Sequence, residues 1–255
     1  MEKSGALLLF FFILGMFCHP EAQAEGSRIE VSDYKLYLAS GHRSKDWDEL
    51  IESGFQSFGG DHFSTALIFL KRAYQKGCRD PLLLYRLGIT HESSGKLDES
   101  IDYYREARNN FPKYYPHHPL REDIDLHLGR VLFRREKSEE AFPLLENALR
   151  KKGDDAMLLF MTAQILREKK EYGEAKRRFA LVQKASPPAS TLNDAVLKEL
   201  MLVTFGLKQY DESLALAEEI LKKNSSDPTA NTYRQKIFVL KQKQKEKEII
   251  EKIVK

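Results

Sequence analysis

A small set of residues returns along this chain at one fixed interval. The clearest copy is Leu84 to Asn110, LYRLGITHESSGKLDESIDYYREARNN. Leu84, Leu87 and Gly88 share one side of a first helix, Gly95 breaks the pattern, and Leu97, Ile101, Tyr104 and Ala107 line a second. Gly88 and Ser100 stand where crossing helices need small side chains to approach. Leu50 and Gly54 precede Leu84 and Gly88 by one interval of about 34 residues. Ala66, Leu70 and Ala73 precede Ser100, Tyr104 and Ala107 in the same way. The set returns as Leu128-Gly129 with Ala141, Leu145 and Ala148, then as Ala163 with Tyr172, Ala175, Phe179 and Val182. A weaker copy has Leu200, Met201, Tyr210, Ser213, Ala217 and Ile220. Neither helix of such a pair can bury its apolar stripe alone, so the copies must stack. The expected class is all-α.

The copies resemble the tetratricopeptide repeat family, whose helix–turn–helix unit has an early Leu-Gly pair, a later Ala-x3-Phe and a closing proline. Leu87-Gly88 and Leu128-Gly129 match the first signal, and Ala175 to Phe179 the second. Ala66 to Leu70, Ser100 to Tyr104 and Ala141 to Leu145 are relaxed versions, and Pro112 and Pro187 supply the third. The resemblance covers residues 47–227. It implies a right-handed α-solenoid of about five helix pairs. Residues 228–255 then resemble the extra helix that closes such arrays, with Tyr233, Ile237 and Leu240 on one side. The tail from Lys241 continues that helix and frays, and its apolar residues are too sparse for sustained coiled-coil heptads.

Outside the array, Ala6 to Phe17 is an apolar run, and Ala22-Gln23-Ala24 is a small-x-small site before Glu25. These read as a secretory signal over residues 1–24, cleaved after Ala24, because the run is too short to span a bilayer as a helix. The signal resembles a bacterial one, which implies the periplasm or secretion, with no transmembrane segment in the mature chain. The alternative is an outer-membrane lipoprotein anchored through Cys18. Cleavage leaves Cys78 as the single cysteine, so stability must come from packed apolar surface rather than an internal disulfide. Residues 25–46 form a lead-in that can cap the first repeat. Residues 111–121, FPKYYPHHPLR, lengthen the Gly88-to-Gly129 interval and read as a rigid, proline-rich loop inserted into the array. Tyr114, Tyr115, His117 and His118 are its candidate contact residues, as inserted loops in solenoids concentrate partner binding.

The resemblance implies that the inner groove is lined by the first helix of each pair. Carried onto this chain, it implies Phe55, Phe58, Tyr85, Ile89, Arg130, Phe133, Arg134, Phe160, Gln164, Arg167, Lys198 and Phe205. Aromatics among cations suit a protein or peptide partner of acidic character, though several of these aromatics can instead pack within their own unit. Ile51 and Phe55 replace the basic and amide residues that chaperone-binding members use to clamp a carboxylate. No Gly-rich phosphate loop, nucleophile elbow or zinc-ligand cluster is present, which argues against an enzyme, a cofactor or a metal. Lys and Arg total 41 against 38 Asp and Glu and are spread along the chain, which argues against nucleic acid. The expected function is an exported protein–protein interaction scaffold; the alternative is a structural or assembly subunit of a cell-envelope complex contacting wall or glycan components. Neither partner identity nor oligomeric state is readable.

Overall fold

The computed structural model describes residues 33–187 and 190–254. The expected signal over 1–24, with Cys18, lies outside the described residues, as does the lead-in up to residue 32. Among the described residues every regular element is a helix, and the chain divides into two compact units, with the division after Lys151.

The first unit contains a short helical stretch at 33–38, then α1 (Lys45–Gly59), α2 (Phe63–Gln75), α3 (Pro81–Ser93), α4 (Leu97–Tyr114), α5 (Leu120–Arg134) and α6 (Ser138–Lys152). The second contains α7 (Ala156–Glu168), α8 (Tyr172–Ala185), α9 (Thr191–Gly206), α10 (Tyr210–Lys223) and α11 (Pro228–Val254). Starts follow from capping chemistry. Asp80 Oδ1 accepts from the amides of Leu82 and Leu83 at 2.8 and 3.3 Å, with Pro81 opening α3. Asp155 accepts from Met157 and Leu158 to start α7 in the same way.

Within each pair the turn has the same geometry in all five copies. One residue adopts positive φ: Asp61, Gly95, Glu136, Lys170 and Lys208 in turn. The next amide then reaches back five residues, from His62 to Ser57, Lys96 to His91, Lys137 to Leu132, Glu171 to Leu166 and Gln209 to Thr204, at 2.8–2.9 Å. This closes the first helix with the six-to-one bond that left-handed C-caps make. Only Gly95 carries the glycine that makes such a cap visible in a sequence.

The crossings use the small residues as expected. Ser100 Oγ donates to the Gly88 carbonyl at 2.8 Å, and Ser213 Oγ repeats this toward Met201 at 2.9 Å. A Cβ on Gly54, Gly88 or Gly129 would lie within 3.0 Å of Leu70, Tyr104 or Leu145 respectively. Ala66, Leu70, Ala73, Leu87, Ile101, Tyr104 and Ala107 are buried in the first unit. Leu197, Met201, Ala217, Ile220 and Ala230 form one cluster joining α9, α10 and α11.

One stretch differs from the sequence reading. The proline-rich stretch 111–121 is mostly helical: α4 continues through Pro112 to Tyr114 and α5 starts at Leu120, which leaves only residues 115–119 between them. Fully buried Phe111 anchors that extension, and packing outweighs the backbone bond that Pro112 cannot donate. The charged tail continues α11 as far as Val254.

The stretch at 33–38 does more than precede α1. Tyr37 is fully buried and its hydroxyl donates to Asp48 Oδ1 at 3.2 Å. Asp33 accepts from Arg86 Nη2 at 2.8 Å and lies 2.8 Å from His118 Nε2. Residues far apart in sequence thus meet over the starts of three successive first helices.

Candidate functional site

In the first unit, α3 and α5 meet along a polar chain. Glu92 is buried and receives three donors: Tyr104 Oη on one oxygen at 3.0 Å, and Arg130 Nε and Arg134 Nη1 on the other at 3.1 and 3.2 Å. Arg130 Nη2 also donates to His127 Nδ1 at 3.2 Å. An arginine can only donate, so Nδ1 accepts and the proton sits on Nε2, which faces Tyr85 Oη at 2.9 Å. Burial pushes the Tyr85 and Tyr104 hydroxyls far above the ordinary phenol range, so both stay neutral. For Arg130, burial works to lower the pKa, but the charge and hydrogen bond of Glu92, with Tyr104 and Tyr85, together outweigh it and the net shift is upward. Two guanidiniums thus share the Glu92 carboxylate, and Ile89 of α3 and Phe133 of α5 are half-buried.

In the second unit the equivalent face is less complete. Gln164 Nε2 donates to Glu199 Oε1 at 2.8 Å. Arg167 Nε lies 2.6 Å from Glu199 Oε2, yet the N–H is misdirected, so neither atom has a hydrogen-bond partner of good geometry. Gln164 Oε1 is likewise buried without a donor. Lys198 is paired with Asp227 at 2.6 Å, the residue that caps α11 through the Ala230 amide. Half-buried Phe205 stands edge-on to Tyr233, with ring centroids 4.9 Å apart.

The expected groove residues therefore separate into two groups. Tyr85, Arg130 and Arg134 are joined through His127 and Glu92 in the first unit, and Gln164 and Arg167 through Glu199 in the second, whereas Lys198 and Phe205 turn to Asp227 and Tyr233 of the last helix. Phe55 and Phe160 are core residues with 1% and 4% exposure. The Arg86 guanidinium roofs Phe55, 4.1 Å above its ring, and Phe160 packs edge-on against Phe179. Phe58 is half-buried against Phe63. Among the loop candidates, Tyr115 is buried and donates to Asp80 at 2.7 Å, and His118 is held by Asp33. Tyr114 packs against His42 at 4.2 Å, while His117 is exposed. Cys78 is fully buried, and burial pushes its thiol up to about 12, which keeps it protonated and inert.

Sequence reasoning passed over Glu92 and Glu199, the carboxylates around which both clusters form. Glu92 was within reach of it, one helical turn after Ile89 on the same side of α3. Among the described residues no group of His, Cys, Asp or Glu is placed to hold a metal ion, and no helix is long and apolar enough to cross a membrane.

The family model described as Iml2/Tetratricopeptide repeat protein 39 matches residues 113–255, more than half of the chain, and a Tetratricopeptide repeat model matches residues 83–114. The chain belongs to the tetratricopeptide repeat family. No curated protein matches its sequence closely enough to count as a relative. Solved structures match its fold. One is YrrB, described as a TPR protein with an unusual peptide-binding site, with a TM-score of 0.60 at 16% identity over 75% of this chain and 94% of that one. MamA from AMB-1 gives 0.57 at 15% identity, over 71% of this chain and 93% of its own. MamA from Desulfovibrio magneticus RS-1 gives 0.54 at 14%, over 72% and 98%. These likenesses place the tetratricopeptide array as an all-helical stack of pairs. Its α3 and α4 fall within the single repeat matched at 83–114.

Proposed function

We propose that this tetratricopeptide protein is a scaffold that holds a segment of another protein against its first helices without altering it chemically. The observation that carries this reading is on α7 and α9: Gln164 Oε1 and Asn193 Oδ1 are buried with no hydrogen-bond donor, and Arg167 and Glu199, though paired at 2.6 Å, lack a well-directed hydrogen bond between Nε and Oε2. Buried polar atoms without partners are costly, and native proteins retain few. An extended main chain brings N–H donors and C=O acceptors at regular spacing and meets both needs: an amide for Gln164 or Glu199, a carbonyl for the Arg167 guanidinium. Arginines stand at the carboxylate of each unit, Arg130 and Arg134 at Glu92 in the first and Arg167 at Glu199 in the second, which supports an acidic segment as the partner.

A displayed library of random peptides tests this. Selection on the purified protein is expected to enrich a family of acidic, extended sequences. The same selection on a variant with Arg130→Glu, Arg134→Glu and Arg167→Glu should lose that enrichment by at least about tenfold. Equal enrichment on both proteins removes these faces from the reading, and no enrichment on either removes peptide capture altogether.

Export belongs to the same proposal. The apolar run Ala6 to Phe17 and the Ala22-Gln23-Ala24 site support it. Protein recovered from its native cells is expected to begin at Glu25 by intact-mass measurement. A chain that still begins at Met1 overturns the export reading, and one that begins at a lipid-modified Cys18 replaces it with an anchored form.

A further inference from the structure

We infer that Arg86 and His118 form a carboxylate-binding site, filled in this structure by Asp33 of the chain's own lead-in, and that an acidic residue of a bound segment takes the place of Asp33 there. Arg86 Nη2 donates to Asp33 Oδ2 at 2.8 Å, and His118 Nε2 lies 2.8 Å from Oδ1. The side chains of Asp33, Arg86 and His118 expose 1, 3 and 6%. The Leu120 amide donates to His118 Nδ1 at 3.2 Å, so the ring proton sits on Nε2 and is directed at the carboxylate. A guanidinium on one oxygen and an imidazole N–H on the other make a specific carboxylate receptor.

Both donors are also held by residues other than Asp33. Arg86 Nη1 donates to the Leu82 carbonyl at 3.0 Å, and its guanidinium lies over the rings of Phe55 and Phe58 at 4.1 and 5.5 Å. His118 is oriented by Leu120 and stacks on buried Phe111, with centroids 5.9 Å apart. The receptor is thus preorganised for whichever carboxylate enters it. The site also continues the face formed by the first helices. Ile89 follows Arg86 by three positions and so shares its side of α3. That face is half open at Ile89 and Phe133, but at Phe55 it is closed, with Arg86 and then Asp33 above the ring.

The lead-in is gripped unevenly. Tyr37 is fully buried, and beyond it His42 lies 2.6 Å from Asp80 and packs on the Tyr114 ring. Ahead of Tyr37, Lys35 and Leu36 are exposed, and the first turn is held through Asp33 and through Tyr34, which donates to Glu52 at 3.2 Å. A helical stretch this short is not stable by itself, so its first turn can fray while Tyr37 stays in place. An incoming carboxylate then replaces Asp33 on the same guanidinium and leaves no buried charge unmatched. Asp33 is tethered and competes at an effective concentration on the order of millimolar. A segment that also reaches Arg130 and Arg134 has the further contacts needed to outweigh it.

The exchange rests on the peptide-holding function proposed above, whereas the carboxylate site does not, and separate measurements test the two. About 0.1 M sodium formate is expected to raise the Tm of Asp33→Ala by occupying the emptied site, whereas equal sodium chloride should not, and formate should leave the native Tm unchanged. No formate effect on Asp33→Ala, or the same effect once Arg86→Met is added, overturns the site. For the exchange, an acidic peptide enriched on the native protein should bind Asp33→Ala about tenfold more tightly, because its internal competitor is gone. A lead-in that serves only as a cap gives equal or weaker binding, and either result overturns the exchange. If the native protein enriches nothing, the same selection on Asp33→Ala decides. Acidic peptides that are lost on adding Arg86→Met support the exchange, and an empty selection overturns it together with peptide capture. Should Asp33→Ala fail to fold, Asp33→Asn carries the peptide comparison with the same expected sign, since it brings no charge to Arg86.

Discussion

Gly88→Val is expected to destabilise the first unit by about 3 kcal/mol or more, a fall in Tm of roughly 6–12 °C. The first atom of any added side chain would stand 2.5 Å and 2.6 Å from Cε1 and Cδ1 of Tyr104, well inside van der Waals contact. That ring has no room to yield. It is fully buried, and its hydroxyl is bonded to Glu92 at 3.0 Å. On the other side of the crossing, Ser100 holds the Gly88 carbonyl at 2.8 Å. Moving the ring therefore disrupts the Glu92 cluster with Arg130 and Arg134, so partner capture should weaken together with stability. Gly206→Val is the internal control. Its Cβ would come as close as 2.6 Å to the Tyr172 ring, but Tyr172 is half-buried at the start of α8 and can swing outward. The expected cost there is about 1 kcal/mol. Equal losses in the two variants, measured by thermal melts, would show that the rigidity of the neighbour does not set the penalty.

Arg86→Met is expected to cost about 3 kcal/mol at neutral pH, because it removes the permanent cation from a buried carboxylate and leaves only the His118 imidazole on it. Asp33 and Arg86 expose 1% and 3% of their side chains, and the guanidinium also stacks on Phe55. Methionine keeps most of the packing over that ring and removes the charge. Adding Asp33→Asn to the variant should recover a large part of the loss, since no charge is then left unmatched. The pH dependence has a definite sign. Burial works to raise the Asp33 pKa, but the His118 hydrogen bond and the Arg86 charge together hold it below its usual 3.8. The folded value is therefore depressed, so this stabilisation is complete above the unfolded value and disappears as pH falls through 3.8 toward the folded one. Without Arg86, burial is expected to dominate and lift the folded value. The variant's carboxyl then stays protonated at mildly acid pH, and its deficit against the native chain should narrow there. Urea melts at neutral and acid pH check this; a deficit independent of pH would assign the loss to packing over Phe55 alone.

The recurring Leu-Gly and Ala positions determined the all-α class, the five pairs and the crossing partners, because close helix crossings demand small residues at fixed helical offsets. Gly88 over Tyr104 was legible in this sense before any coordinate. The five left-handed turns were legible only at Gly95, since Asp61, Glu136, Lys170 and Lys208 adopt the same backbone without the residue that advertises it. The proline-rich stretch misled for a related reason: Pro112 reads as a helix breaker, but buried Phe111 holds α4 together beyond it. Long-range polar partners were beyond the sequence altogether. Nothing local to Asp33, Arg86 and His118 says that they meet, or that Arg130 and Arg134 share Glu92, because ion pairing depends on where distant side chains converge in space. The apolar residues of 228–255 were likewise visible as letters, yet only the packed unit shows which side of α11 is already covered and which is left open. Periodicity along one chain can fix which elements form; the free energy of each buried charge and each bare apolar face is decided by neighbours that the tertiary structure alone supplies.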